Sequence, residues 1–343
     1  MSTKAIADGA VFTISDDAAA NAVVAFSRAE DGALRLEDTI ATGGRGSGGG
    51  EGVLGSQGAV VLTTDGRFLL VVDAGSDEIT AFRVEGAQLT RASRASSGGS
   101  LPVSIAEHDG LVYVLDAGGV GNIAGLRLDG DGILRPIAGS SRPLSTSGAG
   151  GAQIAFDASG EVLVVTEKAS RTITTYRIDD EGRASGPHPV ASAGSTPFGF
   201  AITRRDVLAV SEAGEGAVSS YQLDDGRLEL VSGTVADGGA APCWVVVTWD
   251  GSRAFVANAG SGTVASYLID RHGGIKLRDG SAGVLPGGKP LDLALTARDR
   301  FLYVLDANQH SVHGFIVGRD GSLAPFETSA RGLPPNAVGL ASR

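Results

Sequence analysis

Two glutamates, a lysine and a lone cysteine are the side chains of this sequence best placed for chemistry. Glu167 and Glu212 each end a short apolar run, VVTE and AVSE, where matching runs elsewhere end in Asp73, Asp116, Asn258 and Asp306. A short Asp or Asn there can bond the backbone two residues on and shape a turn. The extra methylene of Glu suits that bond less well, so Glu167 and Glu212 are candidates for a general base. Lys168, next to Glu167, and Arg45 could stabilise an oxygen that becomes negative during acyl transfer. Gln153, Phe198, Cys243 and Trp244 stand at the starts of other apolar runs and are candidates to line a substrate site. A cysteine in such a run is more often a small buried hydrophobe than a nucleophile. The five histidines, at 108, 188, 272, 310 and 313, offer no Ser-His-Asp or Cys-His arrangement, and His310 and His313 are spaced for opposite faces of a strand. No metal is expected: LDGDGIL at 128–134 lacks the bidentate Glu of a calcium loop. No cofactor is expected either.

The elements that must position these residues repeat. Lys289 to Phe326 holds four short apolar runs separated by Arg-Asp, Asn-Gln and Asp-Gly, the pattern of a four-stranded antiparallel meander. The end of its second run recurs at Asp73, Asp116, Glu167, Glu212, Asn258 and Asp306, a period of roughly 45 residues that fits propeller blades. Blade I has Ala10–Ile14, Ala22–Phe26 and Leu34–Thr39 but no inner strand, and PNAVGLAS at 335–342 matches the inner strands of the other blades. The expected fold is therefore all-β: a seven-bladed propeller closed by its C-terminal strand, which leaves no free sheet edge in the ring. Blades II to VII are expected at 59–92, 103–137, 153–190, 198–235, 243–280 and 289–328, within one domain spanning 1–343.

Antiparallel order puts the starts of inner strands and the ends of second strands around one mouth of the central channel, where propeller ligands bind. The segment TGGRGSGGGEGVLGSQG at 42–58, with Arg45 and Glu51 as its only charges, leads to the same face. It is either a flexible connector or a flap over the mouth. It is no phosphate loop, since neither Gly-Lys-Ser/Thr nor a helix follows.

Composition narrows the rest. Gly is 52 of 343 residues, as some thirty turns require, and the formal charge is −11 with Lys and Arg scattered. Nucleic acid is not an expected partner. A single cysteine excludes an internal disulfide and thiolate-built metal sites. No apolar stretch has the length of a signal peptide's core or of a membrane span. The expectation is a cytoplasmic monomer with a small-molecule ligand and no membrane partner.

The repeat of proline, inner strand, Asp-Gly-Arg, second strand and Asp-Gly-x-Leu, seen in TTDGRFLLVVDAGSDEITAFRV and TARDRFLYVLDANQHSVHGFIVGRDGSL, resembles the lactonase family of seven-bladed propellers over essentially the whole chain. That family includes 6-phosphogluconolactonases and carboxymuconate-lactonizing enzymes (3-carboxymuconate cyclases). The resemblance implies a site with a histidine on the inner strand of blade IV, Arg-His on blade V, a Glu after the second strand of blade V and an arginine on blade VI. Only Glu212 matches; Ala152 and Gln153, Phe198 and Gly199, and Ala259 stand at the other positions. Those replacements remove cations that would hold a phosphate. The expectation is a hydrolase or cycloisomerase acting on a weakly charged lactone or muconate-like compound. Glu212 or Glu167 would be the base, with Lys168 or Arg45 as stabiliser. The alternative is a non-catalytic propeller that binds a metabolite or a protein.

Overall fold

The computed structural model describes residues 9–49 and 56–343; Glu51 lies outside them. Seven antiparallel sheets form the ring, each built in order from inner to outer strand. Blade V is representative: Pro197–Ile202, Val207–Glu212, Ala217–Asp224 and Arg227–Ala236. Its second strand, VLAVSE, is buried along its whole length, whereas its outer strand is mostly exposed. Burial between two neighbouring sheets explains why second strands read as unbroken apolar runs instead of alternating. The ring closes as expected. Val338–Ser342 pairs with Gly9–Ile14 in the register Val11 with Ser342, Phe12 with Ala341 and Ile14 with Val338.

Five fully buried tyrosines occupy the core, and four of them stitch neighbouring blades. The Tyr113 hydroxyl donates to the Gly182 carbonyl at 2.9 Å, Tyr176 to Pro143 at 2.9 Å, Tyr267 to Val235 at 3.0 Å and Tyr303 to Gly32 at 2.7 Å. A large apolar body with a satisfied polar tip joins two sheets without leaving a buried hydroxyl unpaired.

Blade III departs from the pattern. Its outer strand is broken into Leu134–Pro136 and Arg142–Pro143, because proline cannot donate to the ladder. Ser140 patches the gap: its hydroxyl accepts from the Gly125 N–H at 2.9 Å.

The inner strands carry a second device. In blades III to VII the pairing slips between the first residue and the third or fourth, a bulge that re-aims the side chains just inside the mouth. Phe198 and Cys243 lie within these slips, next to the channel.

Candidate functional site

The predicted mouth exists, since Gly151 pairs with Glu167, Pro197 with Glu212 and Pro242 with Asn258. Asp306 makes the expected turn, accepting the N–H of Asn308 at 3.0 Å, whereas Glu167, Glu212 and Asp73 do something else. Glu167 and Glu212 are 0% exposed, as are Asp73, Asp116, Asn258 and Asp306. Glu212 accepts from the hydroxyls of Ser192 at 2.6 Å and Ser219 at 2.7 Å. Glu167 accepts from the N–H of Ser145 at 3.0 Å, from Ser170 at 2.8 Å and Thr172 at 2.9 Å, and from the Ser145 hydroxyl. Asp73 likewise takes Thr42 at 2.5 Å and Thr80 at 2.6 Å.

One partner sits on the chain arriving from the previous blade and the other on the blade's own third strand, so each acid latches the incoming connector to its sheet. The glutamates make the same pair of contacts as the shorter Asp73. A general base must come within hydrogen-bonding reach of its substrate. Glu167 has both oxygens bonded and serves as a latch; Glu212 holds its connector through Oε1, while its buried Oε2 has no hydrogen-bond partner among the described residues. Burial, opposed by the Ser192 and Ser219 hydroxyls, raises the Glu212 pKa.

The sequence carries a signal for this role. A small residue or Gly precedes a Gly before most inner strands: TGG at 42–44, SGG at 97–99, SAG at 192–194, DGG at 237–239 and PGG at 286–288. The last glycine lies flat on the acid. A Cβ on Gly44 would come 2.5 Å from Asp73 Cγ, and one on Gly194 would come 2.5 Å from Glu212 Oε2.

The end of the Gly-rich segment enters the channel itself. Gln57 pairs with the backbone of Val245 on blade VI, donating from Nε2 to its carbonyl at 2.6 Å and accepting its N–H at Oε1 at 2.9 Å. The Ser104 hydroxyl of blade III donates to the Gln57 carbonyl at 2.6 Å, and the Trp244 indole N–H donates to the Ser56 carbonyl at 3.0 Å. Residues 56–58 thus bridge blades III and VI across the axis. Gly199 makes room, since a Cβ there would lie 2.5 Å from Gln57 Oε1. At the other end of the segment, Arg45 is exposed beside blade II, donating from its backbone to Ser76 Oγ at 3.0 Å and from Nη2 to the Gly75 carbonyl at 3.1 Å. Blade III separates it from the blade that carries Glu167.

Gln153 is also spoken for. It accepts the Phe200 N–H at 2.6 Å and donates to the Phe200 carbonyl at 2.9 Å, clamping blade IV to blade V. Four of the expected site residues do meet. The Lys168 ammonium of blade IV lies 4.9 Å from the centre of the Phe198 ring of blade V. That ring meets Trp244 of blade VI edge-on, with centroids 5.6 Å apart at 61°. Cys243 belongs to the same apolar cluster, 8% exposed, its thiol pushed up to about 12 by burial. At that value it is protonated at neutral pH and inert as a nucleophile. Burial holds the Lys168 pKa below its usual value.

This corner sets an ammonium against two largely buried aromatic rings, Phe198 at 9% and Trp244 at 4% exposed. Among the described residues, no group of three or more His, Cys, Asp or Glu side chains could hold a metal ion.

Another buried acid lies deeper in the channel. Asp292, 2% exposed in the wall of a cavity of about 430 Å³, accepts the N–H of Leu293 at 2.7 Å and of Leu340, on the closing strand, at 2.9 Å. Burial raises its pKa to about 8.

A family model described as "Lactonase, 7-bladed beta-propeller" matches residues 18–118 and 190–285. None of the curated proteins matches the chain in sequence. Among solved structures, a Bacteroides uniformis protein provisionally described as a 6-phosphogluconolactonase is similar at TM-score 0.78 and 15% identity, covering 98% of this chain and 99% of that one. The periplasmic gluconolactonase of Pseudomonas aeruginosa is similar at TM-score 0.73 and 16% identity, with 97% and 99% covered. Virginiamycin B lyase from Staphylococcus aureus is more distant, at TM-score 0.58 and 13% identity, with 83% and 88% covered. At such identities the likeness is one of fold.

Proposed function

Because this chain belongs to the lactonase family of seven-bladed β-propellers, we propose that it hydrolyses a small, weakly charged lactone at the mouth bounded by blades IV to VI. The observation that carries this reading is the Lys168 ammonium at 4.9 Å from the Phe198 ring, with Trp244 against the same ring. The lactone ring lies on the aromatic pair, and the ammonium faces its carbonyl oxygen. Water adds to the carbonyl carbon, and the developing oxyanion is stabilised by Lys168 in a site where burial strengthens the interaction. The ring C–O bond then breaks, and the proton released by the attacking water ends on the alkoxide, giving a hydroxy acid. With Arg45 bonded beside blade II and no match to the family's Arg-His pair, a phosphorylated lactone finds little to hold its phosphate.

A second reading, a propeller that binds such a ring without turning it over, is favoured by the full burial of Glu167 and Glu212, the two acids expected to act as base. Melting the protein with γ-butyrolactone, δ-valerolactone and glucono-δ-lactone, alongside a pH-stat assay of acid release, tests both. A ligand present at a hundred times its Kd adds about 2.7 kcal/mol of stability. Stabilisation with acid release supports the hydrolase, stabilisation without it supports the binder, and neither effect with any lactone overturns the proposed site.

A further inference from the structure

The face opposite the proposed site carries a second constellation. There the turns between inner and second strands of blades V, VI and VII converge with the last hairpin of blade VII around a groove of about 860 Å³. In its wall stands Trp249, 62% exposed, with the Arg204 guanidinium 3.9 Å from the ring centre. The only other tryptophan, Trp244, is buried in the channel. Arg253, Arg298, Arg300 and Arg319 line the same groove.

The charges here are unevenly committed. Arg253 pairs with Asp250 at 3.5 Å and donates to the Arg319 carbonyl. Asp250 is absorbed by its own turn, accepting from Thr248 Oγ1 and Ser252 Oγ at 2.7 Å. Asp299 accepts the Trp249 backbone N–H at 2.7 Å. By contrast Arg204, Arg298, Arg300 and Arg319 make no ion pair with a carboxylate among the described residues. A protein with a net charge of −11 therefore gathers uncompensated guanidinium groups around one exposed indole. The backbone beside that indole is held in an unfavourable shape: Arg298 and Asp299 are consecutive non-glycine residues at φ 67° and 55°, a conformation that persists only where its surroundings impose it.

We propose that this groove is a second ligand site and that it takes a small planar aromatic anion of the mononucleotide class. The indole offers one face to the ring, as aromatic side chains do for nucleobases. Arg298 and Arg319 offer flat, always-charged forks that match phosphate oxygens. The groove lies within the size range of small-molecule sites, which favours a free ligand over a protein partner.

The test is a titration of the intact protein with ADP at low salt, read by tryptophan fluorescence and by calorimetry. Adenosine supplies the ring without the charge, and pyrophosphate the charge without the ring. The expected result is saturable quenching by ADP that disappears in Trp249→Phe. Binding should be about a hundredfold weaker in Arg298→Ser/Arg319→Ser, the loss of two charge-assisted contacts at about tenfold each. Adenosine should bind more weakly than ADP. If the double variant melts early, Arg319→Ser alone tests the loss of one contact, about tenfold, because its side chain forms no ion pair among the described residues. Calorimetric ADP binding unchanged in both variants overturns the proposal. So does pyrophosphate binding as tightly as ADP, which makes the groove a plain anion patch, or quenching that never saturates.

Discussion

At the scale of single residues, the burial of Glu212 decides what it does. A carboxylate with two seryl donors and a glycine pressed against it is a brace, and a brace fails when its packing is disturbed. Gly194→Ala would put a methyl group 2.5 Å from Glu212 Oε2, and overpacking of this kind costs about 1–3 kcal/mol. Urea denaturation should show that loss; unchanged stability would mean that Glu212 has room to move and would reopen its role as a base. The distinction was not legible from the repeat, which aligns Glu212 with Asp73 but says nothing about Ser192, twenty residues upstream, that turns the side chain inward. The seryl and glycyl residues before each inner strand carried that information. The same limit applied to Gln153, which sits at the mouth as expected and spends both ends of its amide on Phe200.

Strands were easier to read than side chains, because strand period and turn chemistry are local. The proline-led inner strands, the apolar second strands and the displaced C-terminal strand all announced themselves. What local pattern could not show were contacts between distant segments: Gln57 reaching Val245 across the channel, or the break that Pro136 and Pro143 impose on blade III. The closing strand has a titratable clasp. Asp292 accepts the Leu340 N–H, and burial raises its pKa from 3.8 to about 8. The folded protein thus keeps a proton that the unfolded chain has already released. The stability this contributes is complete below about pH 4 and is lost as pH rises toward about 8. Asp292→Asn keeps an acceptor for Leu340 and does not titrate. Its stability should therefore fall less than that of the parent between about pH 5 and pH 8, as followed by denaturant melts at each pH. An identical slope in both proteins would show that the clasp does not bear on closure.

Across the whole molecule, one ring offers two different faces. One mouth carries an aromatic pair and a lysine drawn from blades IV, V and VI, while Glu167 and Glu212 are buried against the connectors. The other face gathers arginines around Trp249. The family resemblance drawn from the repeat was right about the ring and pointed to this mouth, but Glu212, the one family site residue it matched, is here a latch. If Lys168 stabilises a lactone's oxyanion at the mouth, kcat/KM for the best neutral lactone must depend on it, as measured in the parent, Lys168→Met and Lys168→Arg. Removing one oxyanion stabiliser costs on the order of a hundredfold or more in rate. The methionine variant should lose that much with the arginine variant recovering part of it, and a methionine variant as active as the parent would contradict the account.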